Sequence, residues 1–470
     1  MALPATSVWE VRPTNGSNTN GGGFDSAGTG TDFSIQNAKN TVGNNISTTD
    51  AVANGTTTIT SATASFTSAI TGNIVFFSGG SGSITAQWRR ATFVSSTSIT
   101  IDTSIASSTG MTMNIGGALA TIVQANTNSV QGNSTWVKAE ATILVTSKIT
   151  INFTGATTNQ WPAIIGYTTT RGDNGKVTIK ANSNFGDRIV DLSSSGCAFC
   201  NFILDLNSNS ATRGILVTSN GCHLHNVSVK NSVGISIELQ QNDTMASYCD
   251  VTASTLTGNP QIIAGVNAGR PTTLLYCTVT GGTSVGIGLG PSGQAIGCIA
   301  GNNTGASSDG FQVTLNQGTN VLVGNTSYAN GRDGFRLTSS GYEGVVILNN
   351  LSYGNSAFGF NYTNGALPTS FFFMDRSAYG GNTSGNLNNI TAGTNDVSLS
   401  GDPTVAGASN NFALNNTAGA GASCRAAGFP GTLTVGGTGY RDIGALQHQD
   451  SPATTTVVIA STQNLFIQES

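Results

Sequence analysis

Charge is scarce in this chain: 18 Lys and Arg and 22 Asp and Glu make up 9% of 470 residues, with a formal net charge of −4. The cations form no run, so the electrostatic footprint of a nucleic-acid binder is missing. After Lys230 there is no lysine at all. No apolar stretch approaches the roughly 20 residues that a membrane-spanning helix needs. Met1 to Asn20 has no basic segment leading into an apolar one, so no secretory signal is read there. The seven cysteines, odd in number and thinly spread, do not suggest a disulfide framework and fit a chain folded in a reducing cytoplasm.

What the chain has instead is glycine, 61 residues of it, with abundant Ser, Thr and Asn. Such polarity can mean disorder, but here it is interrupted by regular apolar pairs, which argue for β structure. Between Gly214 and Asn364 a glycine followed by two alternating apolar residues recurs: Gly214 with Ile215 and Val217, Gly234 with Ile235 and Ile237, Gly286 with Ile287 and Leu289. Gly310 with Phe311 and Val313, Gly334 with Phe335 and Leu337, and Gly359 with Phe360 and Tyr362 continue the series. The steps are 20, 52, 24, 24 and 25 residues, and the 52 reads as two units of about 26.

Alternation places each apolar pair on one face of a short strand. One such unit cannot enclose a core, so it must stack on its neighbours. Gly, Asn, Ser and Thr between the strands supply tight, often left-handed corners. These properties predict an all-β fold, a right-handed single-stranded parallel β-helix or solenoid. A second column supports that register, with His225, Cys277, Asn325 and Asn350 each nine residues before a repeat glycine, and with Cys249 and Cys298 assigned to the same column. The cysteines read as core.

Taken in order, residues 1–54 form an opening segment with a strand at Val8 to Val11 and a short helix predicted over Ile35 to Val42. Residues 55–116 change to short Thr/Val/Ile strands between Gly/Ser turns, a small all-β module, sandwich or barrel. Within it Trp88, Arg89 and Arg90 read either as a partner surface or as an aromatic with snorkelling neighbours. The solenoid is assigned to 117–366, opening with a short helix at Ala118 to Ala125; residues 367–450 read as irregular coils, and 451–470 as a β-prone tail. The uncharged strand in that tail, Thr454 to Ile467, is expected to pair with the body or with another subunit.

The helix of ALATIVQA, followed by GNSTWVKAEATILVTSKITI, resembles the opening of pectate-lyase-like β-helix proteins, in which a helix caps the open end of the coil. ALPATSVWEVRPTNGSNTNGGGF, GNIVFFSGGSG, NIGGALA, IIGYTTTRGDNG and RDIGALQHQD are similar to β-helix proteins of tailed bacteriophages and related uncultured viruses. The second resemblance covers both modules and implies a virion-associated protein, a homotrimer by analogy with phage appendages, in contact with other virion proteins. It carries no defined activity.

Four constellations invite chemistry. Cys197-x-x-Cys200 and Cys222-x-x-His225 have zinc-ligand spacing, but both pairs are offset by 25 residues, one coil, so two stacked columns explain the pattern equally. Asp309 and Asp333 precede successive repeat glycines, and stacking would bring their carboxylates to roughly 5 Å, a spacing suited to glycoside cleavage or to a shared calcium ion. Arg332 and Arg336 would bias their ionisation. Asp-Gly is also ordinary corner chemistry. No cofactor beyond that calcium is implied.

Tyr328 and Tyr353, one coil apart, read either as an outward aromatic ladder for a surface polysaccharide, flanked by Arg332 and Arg336, or as buried. A lyase would also need a Lys or Arg base beside an acidic calcium site. No lyase residue carries over by motif, and Glu238, Asp243 and Asp250 are the other acidic cluster. The Asn-x-Ser/Thr triplets are expected by chance in such a composition.

The leading expectation is a non-enzymatic virion protein, a β-helical fibre, spike or decoration, made in the host cytoplasm and binding glycans or sister subunits. The alternatives are an extracellular polysaccharide lyase or glycoside hydrolase, and a self-assembling surface-layer or filament subunit.

Overall fold

Phe311, Phe335 and Phe360 lie one above another inside the protein, with ring centroids 4.7 Å apart at each step and planes within 8° of parallel. That distance is the spacing of hydrogen-bonded strands, so each phenylalanine belongs to a different coil of one solenoid. The structure is a computed structural model that describes residues 7–37, 46–130, 132–153, 162–184, 186–208, 213–252, 254–255, 259–265, 270–315, 318–339, 344–367, 372–429 and 441–448.

Three parallel sheets make up the coil. The first runs from Ser134–Lys138 through Ala163–Tyr167 to Asn320–Val323, Val345–Leu348 and Phe372–Asp375. The second includes Val177–Ala181, Thr326–Tyr328, Leu351–Tyr353 and Ala378–Gly380. The third has ten strands, from Ile149–Ile151 to Gly385–Asn388. In Ala198–Asp205 and His223–Lys230 one bent strand serves both the first and the second sheet. The all-β parallel β-helix expected from the repeat is what the chain forms.

The register corrects one detail. Gly214 stacks on Ser236, not on Gly234, because Ile215 pairs with Ile237. Ile237 then pairs with Ile262 and Ile262 with Ile287, so the 52-residue gap does hold an extra coil. Ser and Gln fill the glycine position in those two coils, which hides them from a glycine search.

The interior column holds from Cys249 onward but does not include His225. Cys249, Cys277 and Cys298 are at most 1% exposed. The Cys298 backbone N–H donates to Asn325 Oδ1 at 2.8 Å, and Asn325 Nδ2 to Asn350 Oδ1 at 2.9 Å. His225 instead pairs with Cys200 and Ser247 on the first sheet. A second amide ladder passes from Asn303 through Asn330 and Asn355 to Asn382 in steps of 2.8, 3.0 and 2.9 Å. Each buried amide thus satisfies the next, as a polar group in a dry interior must.

The first coil is closed by a helix at Ile122–Asn128, a few residues later than expected, with Ile122 and Ala125 in the core. Thr121 caps it by accepting the Gln124 N–H at 3.2 Å. Ser7–Val11 adds in parallel to Ser134–Lys138. Glu10 of that strand is fully buried and receives Arg171 Nε at 2.9 Å, Arg12 Nε at 3.1 Å and the Tyr167 hydroxyl. The opening segment is thereby fastened to the solenoid.

The small module is a closed antiparallel barrel of six strands between Ser47 and Ile115. It begins earlier than residue 55, since its first strand, Ser47–Ala53, turns only small side chains inward and shows no apolar alternation. Trp88 is buried and donates Nε1–H to the Asn20 carbonyl at 3.0 Å, and Arg90 pairs with Asp25 at 2.6 Å. These residues bind the barrel to the opening segment. Of the helix expected over 35–42, residues 35–37 form a turn and bend and the rest lies outside the described residues.

The coil also outlasts residue 366. Ala378–Gly380 pairs with Leu351–Tyr353, and Val397–Ser398 pairs with the Ala378–Tyr379 end of it. Beyond this, a hairpin of Thr404–Ala406 and Asn411–Leu414 folds back along the coil. The segment 451–470 lies outside the described residues.

Candidate functional site

Asp309 and Asp333 occupy equivalent corners before the third sheet, and both are fully buried. Arg332, from the next coil, places Nε 2.7 Å from Asp309 Oδ1 and Nη2 on Oδ2, a two-pronged grip. Asp309 Oδ1 also accepts the Asp333 N–H at 3.1 Å. Asp333 repeats the motif one coil on: Oδ1 accepts the Phe358 N–H at 3.0 Å and Oδ2 accepts Asn361 Nδ2 at 2.8 Å. Arg336 Nη1 is 3.8 Å from Asp333 Oδ2. Each carboxylate therefore satisfies backbone and side-chain donors of the coil above it. Burial pushes the Asp309 carboxyl up, while its hydrogen bond and charge contact with Arg332 pull it down.

The tyrosines stack as their spacing predicts, with Tyr328 and Tyr353 centroids 6.1 Å apart. They point out of the coil, yet Tyr328 is only 7% exposed. Phe412 packs edge-on against it at 5.6 Å, and its hydroxyl donates to Asp402 Oδ2 at 2.6 Å. Burial, with Asp402 beside it, raises the Tyr328 phenol to about 12. The C-terminal hairpin thus covers Tyr328, which matches the buried alternative for that residue, and Arg332 is engaged with Asp309.

The zinc-like spacing is resolved by pairing. Cys200 lies against His225 in neighbouring strands. Cys197 and Cys222 are buried inside the coil with sulfurs 3.5 Å apart. Alternation turns the other two outward, so the four side chains do not converge. Among the described residues, no group of three or more His, Cys, Asp or Glu is placed to hold a metal ion. His225 Nδ1 and His223 Nε2 both lie 2.8 Å from the Ser247 hydroxyl.

Three features escaped the repeat pattern. Lys148, Asp187, Arg188 and Asp191 form a charged cluster by the third sheet, with Arg213 and Glu238 paired at 3.0 Å nearby. Tyr248 and Tyr276 lie with ring centroids 5.2 Å apart and planes tilted by 30°, and are 50% and 36% exposed. The outer face of the first sheet, from Ala163 to Leu348, carries no Asp, Glu, Lys or Arg in either of its two outward columns, and Asp375 follows Leu348 in the last strand. That last feature was readable only once strand register was known.

Searches against models of protein families and against curated proteins find no match. Among solved structures, a pectate lyase, Pel9A, is similar in fold, with a TM-score of 0.55 and 14% identity over 71% of this chain and 92% of that one. A rhamnogalacturonan lyase has a TM-score of 0.39 and 12% identity over 55% of this chain and 83% of the other. The Gp54 tailspike of Acinetobacter baumannii bacteriophage AP22, in complex with capsular saccharide, has a TM-score of 0.23 and 7% identity over 76% and 64%. The first likeness establishes the β-helix fold and nothing about activity; the other two are too distant to bear on either.

Proposed function

We propose that this chain is a non-enzymatic structural protein, a β-helical fibre, spike or decoration subunit, which assembles side by side with copies of itself. The observation that carries the reading is the outer face of the first sheet, which is free of charged residues from Ala163 to Leu348. Parallel pairing aligns Leu275, Ile296, Val323 and Leu348 in one outward column, which ends at Asp375, and Val321, Val346 and Phe373 in the next, which follow Thr273 and Gln294. A solvated sheet face ordinarily presents polar residues, and a long apolar face marks an interaction surface. Running parallel to the solenoid axis, the apolar stretch from Leu275 to Leu348 meets its equivalent in a second copy. A trimer is the arrangement favoured by analogy with phage appendages, and the virion assignment rests on the sequence resemblance alone.

Light scattering on the native protein tests this reading. A stable oligomer that the double substitution Val346→Asp, Leu348→Asp converts to a folded monomer is the expected result. A native monomer would overturn it.

The second reading is a polysaccharide lyase or glycoside hydrolase. It is favoured by the charged group around Arg188, Asp191, Arg213 and Glu238, because charge is so scarce elsewhere. Turnover of a polysaccharide in a panel assayed with and without calcium would establish it.

A further inference from the structure

The corner between the first and second sheets is left-handed in coil after coil. Asn226, Gly297, Gly324 and Asn349 hold it with φ between 54° and 64°. Glycine and asparagine adopt this conformation readily. In two adjacent coils the corner is instead Tyr248 and Tyr276, each with φ of 53°, and in a later coil it is Arg376 with φ of 51°. A bulky side chain there is an outlier that the surrounding structure has to sustain. Both rings are set outward on the surface and against each other.

The neighbours are equally specific. His225 meets the Tyr248 ring edge-on at 5.6 Å. On the far side, Tyr276 rests on Gly297, where a Cβ would come 2.5 Å from the ring. Lys176 Nζ lies 2.5 Å from Ser228 Oγ and 3.4 Å from Asp250 Oδ1, and Ser228 donates to the same oxygen at 2.6 Å. Hydrogen-bonding groups therefore border an aromatic ridge, and the lysine and aspartate cancel in charge.

We propose that Tyr248 and Tyr276, with Lys176, Asp250 and His225, form a binding site for a neutral hexopyranose oligosaccharide. A pyranose ring combines an apolar face with a rim of hydroxyls, and the ridge and its polar border offer the matching surfaces. The charge-balanced border favours a neutral sugar over a uronate. This proposal adds a ligand to the reading of the protein as a non-enzymatic subunit, and rests on that reading.

The test uses the full-length protein, an array of neutral hexopyranose oligosaccharides, and polygalacturonate as the charged comparison. The decisive variant is Tyr248→Asn with Tyr276→Asn, because asparagine suits a left-handed corner and the substitution removes the rings without straining the backbone. Binding of a neutral oligosaccharide by the native protein, weakened at least tenfold in the variant while its melting temperature holds or rises, is the expected outcome. Equal binding by variant and native protein, binding of polygalacturonate alone, no binding at all, or a clear loss of stability in the variant would each overturn the site. Light scattering on the same samples keeps the two ideas apart: an intact oligomer without sugar binding removes this site and leaves the assembly reading standing.

Discussion

Arg332 holds both carboxylate oxygens of Asp309 from one coil above, and Asp309 reaches back to accept the Asp333 N–H. The aspartate is thus a strut between coils. Asp309→Asn is expected to lower the unfolding free energy by about 2–3 kcal/mol, since a buried charged bond is lost while Arg332 keeps partial access to water. Urea denaturation measures it. A catalytic Asp309 would show the opposite balance, with stability nearly kept and turnover abolished.

His223 gives a pH dependence of defined sign. Burial, with His225 adding to it, lowers its pKa from 6.5 to about 4. The unfolded chain therefore binds a proton below 6.5 that the folded chain refuses, so stability falls as pH drops and the loss is complete near 4. His223→Asn should remove up to about 3 kcal/mol of that acid-side decline. Urea midpoints at pH 7 and pH 4.5, compared between the two proteins, would reveal it, and identical slopes would contradict the assignment.

The thiols should be silent. All seven cysteines are free, and all but the half-buried Cys200 are buried. Burial raises the Cys249 thiol well above its ordinary value and the Cys200 thiol to about 12, while Cys222, lowered by its hydrogen bond with Cys197, is buried out of a reagent's reach. A thiol reagent is expected to label at most one site in the native protein and seven after denaturation. Chelators should leave the melting temperature unchanged; a drop accompanied by released zinc would restore the metal reading.

Tyr328 fastens the C-terminal hairpin. Tyr328→Phe removes the bond to Asp402 and should cost about 1–2 kcal/mol, whereas Tyr328→Ala also opens a cavity against Phe412, for about 3–5 kcal/mol. Hydrogen exchange at Phe412 and Leu414 should accelerate in the alanine variant more than exchange at Phe335. Uniform acceleration would mean that the hairpin is not separately held.

Much of the fold was legible because a solenoid writes its geometry into the sequence. The glycine steps, the alternating Ile and Phe pairs and the Cys/Asn column each report one coil. The reading failed where a coil kept its shape with other residues. Ser236 and Gln261 took the glycine position, and after residue 366 Asn386 and Leu387 stand where the earlier coils show the Gly-Phe signature.

The candidate site was less legible. Stacking of Asp309 under Asp333 and of Tyr328 under Tyr353 follows from spacing, but spacing does not say what lies on top. Phe412 and Asp402, 84 and 74 residues after Tyr328, close over the tyrosine ladder. Tyr248 and Tyr276 directly precede Cys249 and Cys277 of the interior column, so spacing pairs them, but it does not say that both rings stand exposed at a corner.

By itself, then, the sequence determined the period, the β character and the buried face, because alternation and coil length act locally and recur. Only the tertiary structure decided which stacked residues meet water. That depends on chain arriving from distant positions, such as the hairpin over Tyr328, and on register, which turned Leu275, Ile296, Val323 and Leu348 into one outward line.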